Sequence, residues 1–374
     1  MTISRRHFAT RVTGLAGAAA MLGPGTLLGS EPDPCALPDP IRQLQTMTAG
    51  ARPIDDDERR ARIAKAQRLM VAEVAEGLAL PQKELPPKYF YDQRGSELFE
   101  AITRLPEYYQ TRTERALLTS WMPELITRLG TRTLVELGAG NAEKSRIILN
   151  AMRAASTAEL YVPIDVSATF LAQTAAGLRR EYPGLLVEPV VADIAEELRL
   201  PRRPPSPALI AFIGGTIGNF YPTAAIRLLA RVRAAMAPED RFLMGVDLRK
   251  DVARIEAAYN DAQGVTAQFN RNMLRVLNDE LGADFDPSEF EHWAFYDRDA
   301  HWIEMHLVAR QPQRVTIPGI GAVQFARGET LRTEISAKYD EASVAELFQA
   351  AGLRLEAWRS DADRLFALAV GSPA

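Results

Sequence analysis

From residue 133 onward, short runs of unbroken apolar residues alternate with longer stretches whose apolar positions recur every three or four residues. That alternation marks βαβ units, in which buried parallel strands are joined by amphipathic helices. The pattern predicts strands over Thr133 to Leu137, Leu160 to Ile164, Leu186 to Val191, Ala208 to Ile213 and Arg241 to Asp247. Between them it predicts helices over Ala142 to Ala154, Ala168 to Glu181 and Pro222 to Met236. The fold class is therefore α/β, with a doubly wound, mainly parallel sheet and ligands expected beyond the carboxyl ends of its strands.

On either side of this block the periodicity changes. Upstream, Asp55-Asp56-Asp57 suits a helix N-terminus, because carboxylates meet the positive end of the dipole there. That helix runs to about Leu78 and is closed by Pro81. An aromatic-rich segment from Pro86 to Tyr109 holds a short helix from about Ser96, and a long helix follows from Thr113 to Leu129. Downstream, Val252 to Leu281 reads as two helices, and Trp293 to Arg310, Arg314 to Phe325 and Leu331 to Ser336 read as strands. A helix over Ser343 to Ala351 and strands over Leu353 to Arg359 and Leu365 to Val370 close the chain. We divide it into a leader or linker (1–48), a smaller α+β substrate-binding lobe (49–112 and 251–337) and a cofactor-binding domain (113–250 and 338–374).

Composition narrows the partners. A net charge of −4 without a basic stripe gives no electrostatic reason for a nucleic-acid partner, so a small molecule is expected. Cys35 is the one cysteine, which excludes an intrachain disulfide and a thiolate metal cage. The histidines His7, His292, His301 and His306 have no ligand spacing, and no metal is expected. Ser4-Arg5-Arg6-His7-Phe8 before an Ala- and Gly-rich stretch to Gly29 resembles a twin-arginine export signal. Pro24 interrupts that stretch, so it is not expected to span a membrane. The rest of the chain points to the cytoplasm, and the leader is left unexplained. Nothing marks an oligomerisation helix, and a monomer without stable membrane association is expected.

The candidate chemistry starts at Leu134-Val135-Glu136-Leu137-Gly138-Ala139-Gly140, a strand running into a glycine turn. Gly138 and Gly140 let the backbone turn sharply and approach a ligand closely. Such a turn alone fits NAD, FAD and S-adenosylmethionine alike. Glu143 stands where the NAD fingerprint needs its third glycine. Glu136 before the turn complements a cationic sulfonium better than a pyrophosphate. Asp165 ends the second strand, placed for ribose hydroxyls, and Asp193 ends the third, where enzymes that resemble this pattern usually hold the adenine amino group. Together these features indicate S-adenosylmethionine.

Beyond that turn, the stretches LPPKYFYDQRGSELFEAITRLPEYYQTRTE, LVELGAGNAEKSR, FIGGTIGNF, FNRNMLRVLNDELGADFDP and LRTEISAKY resemble the histidine-specific, S-adenosylmethionine-dependent methyltransferases, whose best-known members make histidine betaine (hercynine) for ergothioneine biosynthesis. The likeness covers the chain from about Ile54 to its end. It implies a class I (Rossmann-like) methyltransferase domain with L-histidine held between it and a second lobe. It implies cofactor contacts from Gly138, Lys144, Asp165, Asp193 and Ile194, although the family often has an aromatic where Ile194 stands. It implies that Asn219 and Tyr259 hold the substrate carboxylate, that Tyr108 lines the site, and that Tyr91 positions the α-amino group without acting as a dedicated base. Glu334 and Ser336 would recognise the imidazole.

The chemistry of that last pair agrees. Residues two apart on a strand share a face, so Glu334 and Ser336 project together. A carboxylate accepts from a ring N–H while a hydroxyl pairs with the other nitrogen. Met305 reads as core. Three rival readings are a methyltransferase for another amine, an NAD-type oxidoreductase, and an exported binding protein that has lost catalysis. The first would depart from Glu334 and Ser336, the second lacks its glycine and an acid–base histidine, and the third sits poorly with an intact cofactor site.

Overall fold

A computed structural model of the protein describes residues 56–166, 168–194 and 204–374. The leader, residues 1–48, lies outside the described residues. Two sheets organise the rest. The larger one is built from β2 (Thr133–Leu137), β3 (Leu160–Asp165), β4 (Leu186–Val187), β5 (Val190–Val191), β6 (Ala208–Phe212), β7 (Arg241–Asp247), β13 (Leu353–Ser360) and β14 (Phe366–Pro373). Its order is β13-β14-β7-β6-β2-β3-β4, with β5 also paired to β3. Neighbours from β7 through β4 are parallel, and β14 runs antiparallel to both β7 and β13.

Strands β2 and β6 are buried at every position, as expected of parallel strands covered on both faces. One face packs on α3 (Gln110–Leu129), α4 (Ser145–Ala154) and α5 (Ala168–Glu181) through Leu118, Met122, Leu149 and Leu178. The other packs on α6 (Pro222–Ala235) and α9 (Glu341–Ala350) through Leu228, Val232, Val344 and Phe348. This is the doubly wound, mainly parallel sheet the sequence predicts.

The second sheet has the order β1-β12-β9-β8, from β1 (Lys83–Glu84), β12 (Thr330–Ala337), β9 (Trp302–Ala309) and β8 (Phe290–Asp297). A hairpin of β10 (Gln313–Ile317) and β11 (Gly321–Phe325) stands apart. The core under these strands also takes residues from α1 (Asp56–Leu78), α2 (Gln93–Ile102), α7 (Val252–Tyr259) and α8 (Val265–Leu281). The chain leaves the large sheet after β7 and returns beside its exit point, where Leu248 bridges Tyr339 and Arg249 N–H donates to the Tyr339 carbonyl at 2.8 Å. Both sheets therefore present their ends to one junction. Among the described residues no helix is long and apolar enough to cross a membrane.

Several boundaries differ from the sequence reading, each for a local reason. Helix α2 starts at Gln93 instead of Ser96, because the Asp92 carboxylate caps it by accepting from Gly95 N–H at 2.6 Å. Helix α4 starts at Ser145 instead of Ala142, since Ala142 has φ 54° and prolongs the glycine turn. The single strand expected over Leu186 to Val191 is two short pieces, because Pro189 brings no N–H to the ladder. Leu186 and Val191 are left exposed at this sheet edge.

Candidate active site

The glycine turn follows β2 directly. Gly138 and Gly140 have φ of 72° and 50°, the left-handed region in which a side chain is strained. A Cβ at either would meet nothing within 4 Å, so conformation, and not crowding, requires glycine, and open space faces the turn. The turn is pinned to β3. Gly138 and Ala139 N–H donate to the Ile164 carbonyl at 2.8 and 3.1 Å, and Gly140 N–H donates to the Asp165 carboxylate at 3.0 Å. Asp165 is half-buried, and its second carboxylate oxygen is not part of that bond. Asp193 and Ile194 follow β5, Ile194 packed on the core face of the sheet and Asp193 near Arg231. Glycines with space before them, and acids after the next two strands outward (β3 and β5), fit a nucleoside with a vicinal diol.

Glu136 does something other than face a sulfonium. It is buried, accepts from Tyr161 hydroxyl at 2.6 Å and from Ser145, and lies inside the sheet. Burial pushes its carboxyl up to about 7, against the lowering effect of those two donors. Its role is to tie β2 to β3 and α4. Lys144 reaches across the turn to Glu114, a fully buried residue of α3 whose other oxygen accepts from Gly214 N–H at 2.7 Å. One carboxylate thus braces both the glycine turn and the turn after β6.

That second turn, Thr216–Asn219, carries Asn219 toward the small sheet. Gly218 lets it close up, because a Cβ there would come within 3.0 Å of the Ala337 backbone and 3.3 Å of Ser336 Oγ. Asn219 and Glu334 line one cavity, together with Tyr221, Arg332, Glu84 and Ile335. In β12 a bulge between Arg332 and Glu334 turns the two to different tasks. Arg332 pairs with Glu84 and with Glu304. Glu334 is enclosed among Tyr91, Tyr108 and Tyr259, each of whose hydroxyls its charge makes harder to ionise. Burial is the largest cause of the raised pKa at all three. Burial likewise pushes Glu334 up to about 7, with Lys338 pulling it down. Phe99 and Phe269 pack on the Tyr91 ring, and Met305 is buried in the same core.

Ser336 meets Tyr259 directly, hydroxyl to hydroxyl at 2.9 Å. Tyr91, Tyr108 and Tyr259 thus stand near Glu334, Ser336 adjoins Tyr259, and Asn219 shares a cavity with Glu334. The structure also shows a polar cluster that sequence reasoning missed. Asp247 at the end of β7 accepts from Tyr109 hydroxyl at 2.9 Å and pairs with Lys250 and, at 2.9 Å, with Lys338. Burial opposes the ionised carboxylate, but the two ammonium groups outweigh it and hold Asp247 below the usual range. The strand-end rule that singled out Asp165 and Asp193 applies equally to Asp247. Glu114 was visible as a lone acid on the apolar stripe Leu117, Leu118 and Trp121.

Among the described residues no group of three or more His, Cys, Asp or Glu side chains could hold a metal. His306 pairs with Glu304 at 2.8 Å, and His292 bonds to Asn270 and to the Tyr259 carbonyl. Both are occupied in the small sheet.

One prediction tests the glycine-turn site. Asp165→Ala removes the acceptor for a diol and loosens the Gly140 anchor. Calorimetry should show adenosylmethionine binding weakened about 10- to 100-fold, the loss expected when bonds to a charged acceptor disappear. Wild-type affinity would remove Asp165 from the site.

Comparison with known proteins fits this architecture. A profile of the family described as histidine-specific methyltransferase, SAM-dependent, matches residues 70–372. The histidine N-alpha-methyltransferase of Mycolicibacterium smegmatis is 45% identical over 294 residues, covering 77% of this chain and 90% of that protein. That of Mycobacterium tuberculosis is 43% identical over 302 residues, covering 80% and 94%. Ergothioneine biosynthesis protein 1 of Neurospora crassa is 30% identical over 290 residues, covering 72% of this chain and 31% of that longer protein. With its doubly wound sheet, its glycine turn and a family match across both sheets, the chain belongs to the histidine-specific, S-adenosylmethionine-dependent methyltransferases and has their class I fold.

Proposed function

We propose that this enzyme methylates the α-amino group of free L-histidine, three times in succession, to give histidine betaine (hercynine) for ergothioneine biosynthesis. The observation that carries the reading is the enclosed Glu334, set near three tyrosines and two positions from Ser336 on the same strand. An acceptor and a hydroxyl on one face match a ring with two nitrogens, and an apolar ring there would leave both unpaired. The 43–45% identity to two histidine N-alpha-methyltransferases supports the same substrate.

S-adenosylmethionine supplies an electrophilic methyl on a sulfonium, and the protein's part is to position, desolvate and shelter the amine. We assign its contacts to Gly138, Gly140, Lys144, Asp165, Asp193 and Ile194. Asn219 and Tyr259 hold the substrate carboxylate, Tyr108 lines the site and Tyr91 faces the amine. Burial and Glu334 keep the Tyr91 and Tyr108 hydroxyls protonated at neutral pH. They therefore act as hydrogen-bonding groups and not as bases, and each ammonium proton leaves to water. A tertiary amine still has its lone pair, so transfer continues until the nitrogen is quaternary. We place the cofactor-binding part at 113–250 and 338–374 and the substrate-binding part at 49–112 and 251–337, in a monomer that works in the cytoplasm, where adenosylmethionine is made.

Mass spectrometry of the protein incubated with adenosylmethionine and the twenty free amino acids is the test. Successive methyl increments on histidine alone are expected. Methylation of a different amino acid would overturn the imidazole pocket and leave the cofactor site standing.

A further inference from the structure

Behind the two halves of the proposed substrate site lies a closed ring of three side chains. Lys338, its side chain fully buried, donates from Nζ to Tyr259 hydroxyl at 2.9 Å, to Ser336 Oγ at 2.9 Å and to Asp247 at 2.9 Å. Tyr259 and Ser336 complete the ring, 2.9 Å apart. An ammonium group has three protons and no lone pair, so all of its bonds are accounted for and all of them run outward. The remaining side of the ring, oxygen to oxygen, has room for a single proton. Two hydroxyl protons are available, so one of them must always point out of the ring.

With Tyr259 donating to Ser336, the serine proton is the one expelled. When Tyr259 instead gives its proton to a bound carboxylate, two oxygens 2.9 Å apart cannot be left with only lone pairs facing each other in a buried site. Ser336 must then turn its proton inward to Tyr259. Its outer side becomes an acceptor, and the ring nitrogen it meets must carry hydrogen. The other ring nitrogen faces Glu334, and the two share whatever proton lies between them.

We infer that the Lys338–Tyr259–Ser336 ring couples carboxylate recognition to the protonation of the imidazole, so that the imidazole and Glu334 together bind one proton more than a neutral ring and an ionised carboxylate would hold. That proton comes from solvent on binding. The inference rests on the assignment of Tyr259 to the carboxylate and of Glu334 and Ser336 to the imidazole. Lys338 is a positioning residue: it touches no substrate atom and fixes which way two hydroxyls point. A Glu334 that burial brings to about 7 suits a shared proton, since a free imidazole titrates nearby. The charged or titratable groups facing this pair are Tyr91, Tyr108, Tyr259 and Lys338, with Asp247 behind Lys338 and Lys250 beyond it.

The test uses histidine betaine with S-adenosylhomocysteine on the full chain, because a quaternary amine adds no proton of its own. Calorimetry at pH 8 in buffers of different ionisation enthalpy counts protons directly. Uptake close to one proton per ligand is expected in the wild type. Tyr259→Phe frees Ser336 to donate outward, so uptake there should fall toward zero. Lys250, which burial brings down to about 8, is present in both proteins and contributes equally. No uptake in the wild type, or equal uptake in wild type and variant, would overturn the coupling. Absence of uptake in the wild type overturns the coupling even if the variant binds too weakly to titrate. The underlying assignment has its own control: a Glu334→Ala protein that binds the betaine as tightly as wild type would refute the imidazole pocket itself.

Discussion

Glu334→Ala should lower kcat/KM for histidine about a hundredfold or more while leaving S-adenosylhomocysteine affinity within about twofold. The side chain is enclosed by Tyr91, Tyr108 and Tyr259 and has Lys338 as its nearby cation. Removing it leaves a buried ring nitrogen without an acceptor, a loss of about 2–3 kcal/mol when the missing partner is charged. Nothing in the glycine turn touches Glu334, which is why the cofactor should not notice. Steady-state kinetics and calorimetry on one preparation give both numbers, and unchanged histidine kinetics would sink the assignment.

The same residue should cost the fold stability. Its folded pKa, about 7, lies above the ordinary carboxylate value, so the folded protein holds a proton that the unfolded chain releases. Stability contributed by the protonated form is present below the ordinary value and is lost as pH rises through about 7. Glu334→Gln removes that loss, and its thermal midpoint at pH 8 should exceed the wild type by the equivalent of about 1–3 kcal/mol. At pH 4 the two should converge. A variant less stable than wild type at pH 8 would show that the charge is better compensated than the geometry implies.

How much of this was legible in the sequence depends on the range of the interaction. Strand β2 and helix α5 match their predicted bounds because apolar period and strand burial are local properties. Helix starts slipped where a side-chain cap or a positive φ intervened, as at Asp92 and Ala142. Asp165 and Asp193 are candidates because strand ends are where an α/β sheet exposes its ligands. Glu136 obeyed the same motif and went elsewhere, because Tyr161 and Ser145 reach it first. The resemblance brought the six candidate substrate residues to light, and the approach of segments as far apart as Tyr91 and Glu334 is a matter of packing that no local pattern encodes. The partners behind them were hidden altogether. Glu114 with Lys144, and Lys338 with Asp247, are pairs built on buried carboxylates that join different elements, and a single sequence shows only scattered charges.

The Asp247–Lys338–Lys250 cluster should dominate the stability of the junction. Asp247 is 4% exposed and accepts from Tyr109 while pairing with both lysines. Asp247→Ala would leave two buried ammonium groups without their counter-ion, and breaking such a buried pair by removing one partner costs about 3–5 kcal/mol. Urea unfolding should show a loss of that size, against a smaller one for Asp247→Asn, which keeps the volume and an acceptor. The pH dependence has the opposite sign to that of Glu334. The two lysines hold the folded pKa of Asp247 below its unfolded value, so its contribution is fully present above about 3.9 and disappears as pH falls through the lower folded value. Wild type and Asp247→Ala should therefore differ most near neutrality and approach one another in acid. Lys338 is also the donor that fixes Tyr259 and Ser336, so the loss should reach catalysis as a raised KM for histidine even where the variant is folded and binds S-adenosylhomocysteine. A stable Asp247→Ala protein with wild-type KM would mean that the lysines find other partners, and that the junction is held by its apolar contacts alone.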